Sequence, residues 1–172
     1  MLDNDFEDTF FHRNINFLVK SLIVSACSYL ESYLKDSAFA KVEEFNEQIN
    51  NLQVPHSLVL WSVDTKKAMK QNTGFFKLNV TRDDIDRQTS PNIDKTISLF
   101  QLFGVDLELD DDFKSKKDTI GTIVNKRNQI VHHNHDASDV TVQDAISHIE
   151  MIISYLEILD RNFHKQNRCS DV

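Results

Sequence analysis

Two stretches near opposite ends of the chain repeat apolar residues on three- and four-residue steps, and this pattern constrains the fold more than any other feature. The first covers residues 11–34, where Ile15, Leu18, Val19, Leu22, Ile23, Ala26, Leu30, Tyr33 and Leu34 form one stripe. The second covers residues 142–163, with Val142, Ala145, Ile146, Ile149, Ile152, Ile153, Leu156, Leu159 and Phe163 on the same steps. Thr141 is placed to cap that second helix, and Asp144 stands three residues on, as in a capping box. Each predicted helix exceeds twenty residues, or about 30 Å at 1.5 Å per residue. Helices of that length, each with one apolar face, bury it most economically against one another in a bundle.

The composition leaves little room for another fold class. Only 3 Gly and 2 Pro occur in 172 residues, roughly 3% against a usual figure of about 12%. Sheet proteins with many tight turns, and Gly-rich phosphate loops, both need those residues. A length of 172 residues suits a single domain. The two cysteines, Cys27 and Cys169, make neither a disulfide framework nor a Cys-x-x-Cys zinc pair. Cys27, inside the first stripe, reads as a small buried hydrophobe. The acidic start (Asp3, Asp5, Glu7, Asp8) does not resemble a secretion signal. Polar residues interrupt residues 17–34, which argues against a membrane span. A reducing, cytoplasmic setting is expected, in which the Asn79-Val80-Thr81 sequon carries no meaning.

A third helix is predicted over residues 112–133, with Asp110, Asp111 and Asp112 at its positive end. Gly121 within it marks a candidate close approach to a neighbour. Shorter helices are predicted over residues 38–52 and 93–103. Residues 52–92 read as an insertion packed on the bundle, and Ser57–Val63 fits either a helix turn or a short strand. Thr73-Gly74 and Thr89-Ser90-Pro91-Asn92 are turn signals around it. The expected architecture is therefore one all-α domain over residues 1–172, a bundle of about five helices with an insertion.

The chemistry concentrates at the end of the third helix, in Asn125-Lys126-Arg127-Asn128-Gln129-Ile130-Val131-His132-His133-Asn134-His135-Asp136. On a continuous helix, Arg127 and His132 lie ~140° apart, whereas Asn128 and His132, one turn apart, share a face. Arg127 and His132 meet on one phosphate only if the helix frays near His132 or if a second copy contributes. Asn134, His135 and Asp136 are helix-ending types, so the spacing points to a site at a helix end, shared between copies in the second case. Residues 113–133 hold five cations (Lys114, Lys116, Lys117, Lys126, Arg127) against one acid, Asp118. A local basic surface in a chain of net charge −8 suits a phosphate-bearing ligand. The same lysines would equally serve as a solvated outer face.

Arg127-Asn128-Gln129-Ile130-Val131-His132-His133 resembles the Arg-Asn-x-x-x-His signature of the HEPN superfamily of small all-helical domains. The stretch Ser25–Leu34, with Glu31 where such proteins often carry an acid, is similar to the opening helix of stand-alone prokaryotic members. A polar loop and a Thr-capped last helix follow the motif, as in that family. The resemblance implies a metal-independent endoribonuclease of the toxin or phage-defence type, without cofactor, working as a homodimer that joins both motifs in one cleft. His132 would move the proton of the ribose 2′-hydroxyl, or act as acid or phosphate contact, and Arg127 would hold the scissile phosphate. Asn128 would orient the imidazole or the guanidinium, with Glu31, Lys126 and His133 in support. The implied partners are RNA, a second copy and an antitoxin or defence protein, with no membrane.

Other readings of these residues are open. Arg127 could pair with Glu31 between helices, alongside a role on phosphate. His133 and His135 read as solvated loop residues, and His12 and Arg13 as surface. His132, His133, His135 and Asp136 crowd one turn, a poor geometry for a tetrahedral metal. Residues 106–112 lack the residue order of an EF-hand. A pI near 5.3 is low for a broad RNA binder. The alternative functions are accordingly a non-catalytic HEPN-like binding module, or an antitoxin or immunity protein acting through protein contacts.

Overall fold

The computed structural model of the protein describes residues 3–63, 74–133 and 140–165. The described residues form α1 (Asp3–Leu52), α2 (His56–Val63), α3 (Arg82–Gln88), α4 (Ile93–Leu102), a 3-10 turn (Leu107–Leu109), α5 (Asp111–His133) and α6 (Val142–Lys165), with no strand among them. The all-α class is as expected, with six helices where the pattern predicts about five. One merger corrects the expectation: residues 11–34 and 38–52 belong to a single 50-residue helix. No Gly or Pro occurs before Pro55, and Lys35-Asp36-Ser37 contains no residue that stops a helix. The helix ends where Gln53 takes a positive φ of 48° and Pro55 follows.

The chain divides into two compact units, one from Met1–Leu34 with Thr89–Val172 and the other Lys35–Gln88. In the second unit, the Asn46 side chain grips the backbone of Leu78, donating to its carbonyl at 3.3 Å and accepting from its N–H at 2.8 Å. The Phe76 N–H donates to the Val54 carbonyl at 2.8 Å, and the His56 N–H to that of Gly74 at 2.9 Å. Residues 57–63, ambiguous in the sequence, are helical in α2, which buries none of its residues. The α3 helix carries the same capping box that closes α6: Thr81 and Asp84 exchange backbone and side-chain bonds.

In the first unit, α1 buries Val19, Ile23, Cys27, Leu30 and Leu34. The α5 helix adds Phe113, Ile120, Ile123, Val124 and Ile130, and α6 adds Ala145, Ile152, Tyr155, Leu159 and Phe163. Each large apolar side chain so buried contributes about 1.5–3 kcal/mol before chain entropy is counted. Phe163 stacks on Phe100 of α4 with ring centroids 4.0 Å apart. Gly121 does lie close to α4: a Cβ there would meet Ile93 Cγ1 at 3.8 Å, ordinary contact that an alanine would tolerate.

Both apolar stripes are wider than the core needs. Ile15, Leu22, Val142, Ile146 and Ile153, all expected inside, are exposed, while Tyr155 and Ile158 are buried without having been in the pattern. The same surplus corrects the reading of residues 17–34. By length and composition, Arg13–Leu52 contains a window apolar enough to cross a membrane, because the interrupting residues are mostly serines.

Candidate functional site

The candidate site rides on α5, whose start is anchored firmly. Asp110 Oδ1 accepts from the N–H groups of Asp112 at 3.0 Å and Phe113 at 3.1 Å, capping the helix. Its other oxygen takes Asn162 Nδ2 at 2.9 Å and Arg161 at 3.1 Å, both from α6. The acidic run, expected as a solvated loop and helix start, is thus a helix start whose Asp110 carboxylate is almost wholly buried. Arg161, which also bonds Asp112 at 2.8 Å, was not singled out by any motif.

From that anchor α5 runs unbroken to His133, and helical geometry then places each motif residue. Arg127 stands four residues after Ile123 and three before Ile130, both buried, so it shares the core-facing side. Its side chain is half-buried, and its Nε is wholly shielded from water with no hydrogen-bond partner. Its Nη1 donates to Asn128 Oδ1 at 3.0 Å. The guanidinium also acts on α1: burial pushes the Cys27 thiol up to about 11, and the Arg127 charge pulls it partly back. Glu31 is half-buried one turn beyond Cys27, on the same face of α1.

His132 is exposed. With the helix continuous, it points ~140° from Arg127, and fraying before His132, one of the two ways for them to meet, is not what the structure has. Within one chain the structure therefore joins Arg127 to Asn128 and sets His132 one turn beyond Asn128 on its face. It does not bring Arg127 and His132 together. Lys126 is half-buried beside them. The side chain of His133, and residues Asn134, His135 and Asp136, lie outside what the structure describes.

The basic surface is weaker than the count of cations predicts. Lys114 pairs with Asp111, and Lys117 holds both oxygens of Glu108 at 3.0 and 3.1 Å. Lys116 lies against the Met151 sulfur at 4.0 Å. A groove of about 360 Å³ opens on the outer side of α5, lined by Asp94, Glu108, Lys117, Asp118, Thr122 and Asn125 among others. Its carboxylates disfavour a phosphate there. Among the described residues no group of three His, Cys, Asp or Glu side chains is placed to hold a metal ion.

Sequence reasoning missed the proximity of Cys27 to Arg127. The one available signal was that Cys27 precedes Glu31 by a single turn, on the face already assigned to an acid opposite the motif. No curated protein matches the chain in sequence, and no solved structure matches it. A family model, RiboL-PSP-HEPN, matches residues 1–165. Nearly the whole chain, motif helix included, is thereby covered, and the protein belongs to the HEPN family.

Proposed function

We propose that the protein is an endoribonuclease of the toxin or phage-defence type, acting as a homodimer in the cytoplasm without a metal ion. HEPN membership points to a nuclease-like or RNA-related role; the finer reading rests on the end of α5. The observation that carries it is the Arg127–Asn128 pair with exposed His132 one turn beyond. Arg127 holds a shielded Nε–H that no protein group uses, a donor that an incoming anionic oxygen would satisfy. Asn128 fixes the plane of the guanidinium. His132, in water, is free to take the 2′-hydroxyl proton or to give one to the leaving oxygen. Attack of that hydroxyl on the adjacent phosphorus forms a cyclic phosphate and expels the 5′-oxygen of the next nucleotide. DNA lacks the attacking group.

Because Arg127 and His132 diverge on one helix, the pair that serves one phosphate comes from two copies. The guanidinium of one protomer would meet the imidazole of the other. Glu31, Lys126 and His133 would support the cleft, and an antitoxin or defence partner would restrain it. The test is cleavage of RNA by the purified protein in excess chelator. Cleavage should persist in the wild type and vanish in His132→Ala and Arg127→Ala, with helical circular dichroism unchanged. A mixture of the two variants should regain activity, since each heterodimer rebuilds one intact pair.

A second reading draws on the charge pattern. Lys114 and Lys117 are tied to acids, and the chain carries −8 overall. Those facts favour a non-catalytic HEPN module, or an antitoxin or immunity protein acting through protein contacts. Equal and negligible RNA cleavage by wild type and His132→Ala, with no growth arrest on expression, would decide for it.

A further inference from the structure

The apolar surplus on α1 and α6 is organised. Ile15, Leu22 and Tyr29 recur every seventh residue along α1, and Ile153 follows Ile146 by seven on α6, with Val142 one turn before. All six are exposed, Tyr29 by 74%, Ile153 by 52%, Leu22 by 42% and Ile146 by 41%. A seven-residue apolar repeat is what one helix presents to another in knobs-into-holes packing. Each helix thus carries a second seam beside the one that faces the core.

The two seams lie side by side. At one end Val19 and Ile23 of α1 share a cluster with Ala145 of α6, and about four turns further along both helices Tyr33 Oη donates to Asp160 Oδ1 at 2.7 Å. The two helices therefore run parallel, and Tyr33 and Asp160 lie on the seam side of each. Ile130, two residues before His132, belongs to the first cluster. The Ile15–Leu22 and Val142–Ile146 portion is consequently level with the end of α5.

The surface is also prepared for burial. Between Asn14 and Leu30 the only charged residue is Lys20, ~160° around the helix from Leu22. The polar residues flanking the seam turn their donors back onto their own helix. Asn14 donates to the Phe10 carbonyl, Ser21 to that of Phe17 and Ser28 to that of Val24, each at 2.9 Å. Covering them strands none of those donors.

We infer that this paired seam of α1 and α6 is where a second copy of the chain docks, giving a four-helix contact that sets both α5 C-termini at one level. Two arguments select a copy over another protein. The six residues expose apolar side-chain area on the order of 500 Å², close to the apolar share of the ~800 Å² each partner gives to a standard interface. Two chains of charge −8 repel elsewhere, and an uncharged face is where such copies meet without like-charge cost. The inference rests on the homodimer of the proposed function and supplies its surface.

The test is sedimentation of the full chain at micromolar concentration. The wild type should run at twice the 20.0 kDa chain mass. Ser25→Glu, an exposed position between Leu22 and Tyr29 where a charge disturbs no core packing, and Ile146→Glu should run at the single mass with unchanged circular dichroism. Thr119→Glu, exposed on α5, should leave the dimer intact. A wild type at single mass, or a Ser25→Glu protein that stays dimeric, overturns the seam whatever its activity. Monomeric Ser25→Glu that cleaves RNA at the wild-type rate would confirm the seam and overturn the shared cleft.

Discussion

Arg127 is held on two sides and left open on a third. Asn128 takes one of its N–H groups, the Cys27–Glu31 face of α1 lies near its charge, and Nε is shielded without a partner. An unsatisfied buried donor costs about 1–3 kcal/mol, and a site that binds anions recovers that cost when the ligand arrives. The role of Asn128 follows: it positions the guanidinium and need not touch RNA. Asn128→Ala is expected to lower kcat/KM for RNA cleavage about 10-fold, the loss of one charge-assisted bond of ~1.5 kcal/mol. His132→Ala should abolish cleavage outright. Full activity in Asn128→Ala would mean that the α1 side alone holds the arginine.

At the scale of helices, the ends of α5 and α6 were legible and the ends of α1 were not. Thr141 and Asp144 form the predicted box, with the Thr141 N–H and hydroxyl donating to the carboxylate at 2.9 and 2.7 Å and the Asp144 N–H donating back at 3.1 Å. Those bonds hold the Asp144 carboxyl below its ordinary value. Its stabilising effect is therefore complete above the unfolded carboxylate value and fades as pH falls through the lower folded one, below about pH 4. In Asp144→Asn that acid-side portion of the unfolding curve should flatten, and Thr141→Ala should lose about 1 kcal/mol in urea unfolding at neutral pH.

Asp110 separates a cap from an ion pair. Asp110→Ala removes the α5 cap and strands buried Asn162, and should lose about 2 kcal/mol. Arg161→Ala, whose head is half in water, should lose less than about 1 kcal/mol. Equal losses would assign the anchor to the ion pair. Such local signals explain what was readable. Caps and turns are written in neighbouring residues, whereas the Asp110–Arg161 and Cys27–Arg127 contacts join distant positions that no spacing rule connects. The merger of residues 11–34 and 38–52 escaped because an apolar stripe shifting its face resembles a helix boundary. The motif itself was fully legible, and the helical angle already indicated that one chain would not close the pair.

Across the whole molecule, two opposite demands fall on one charge balance. The seam of α1 and α6 is apolar and uncharged, while the remaining surface carries the excess of 27 acids over 19 bases. Self-association therefore works against long-range repulsion, which salt screens: the Debye length falls from about 10 Å at 0.1 M to about 3 Å at 1 M. RNA binding works the other way. With Lys114 and Lys117 occupied by acids, only two or three phosphates per site remain to be neutralised. A single-strand slope of about −0.7 per contact then predicts roughly a 10-fold loss of RNA affinity between 50 and 200 mM salt. Over the same range the dimer should tighten or hold, because apolar burial is not screened and the repulsion is. Sedimentation and filter binding on one salt series measure both. A dimer that dissociates as salt rises would place ion pairs at the contact and remove the apolar seam from it, and an RNA affinity indifferent to salt would remove Arg127 from the phosphate.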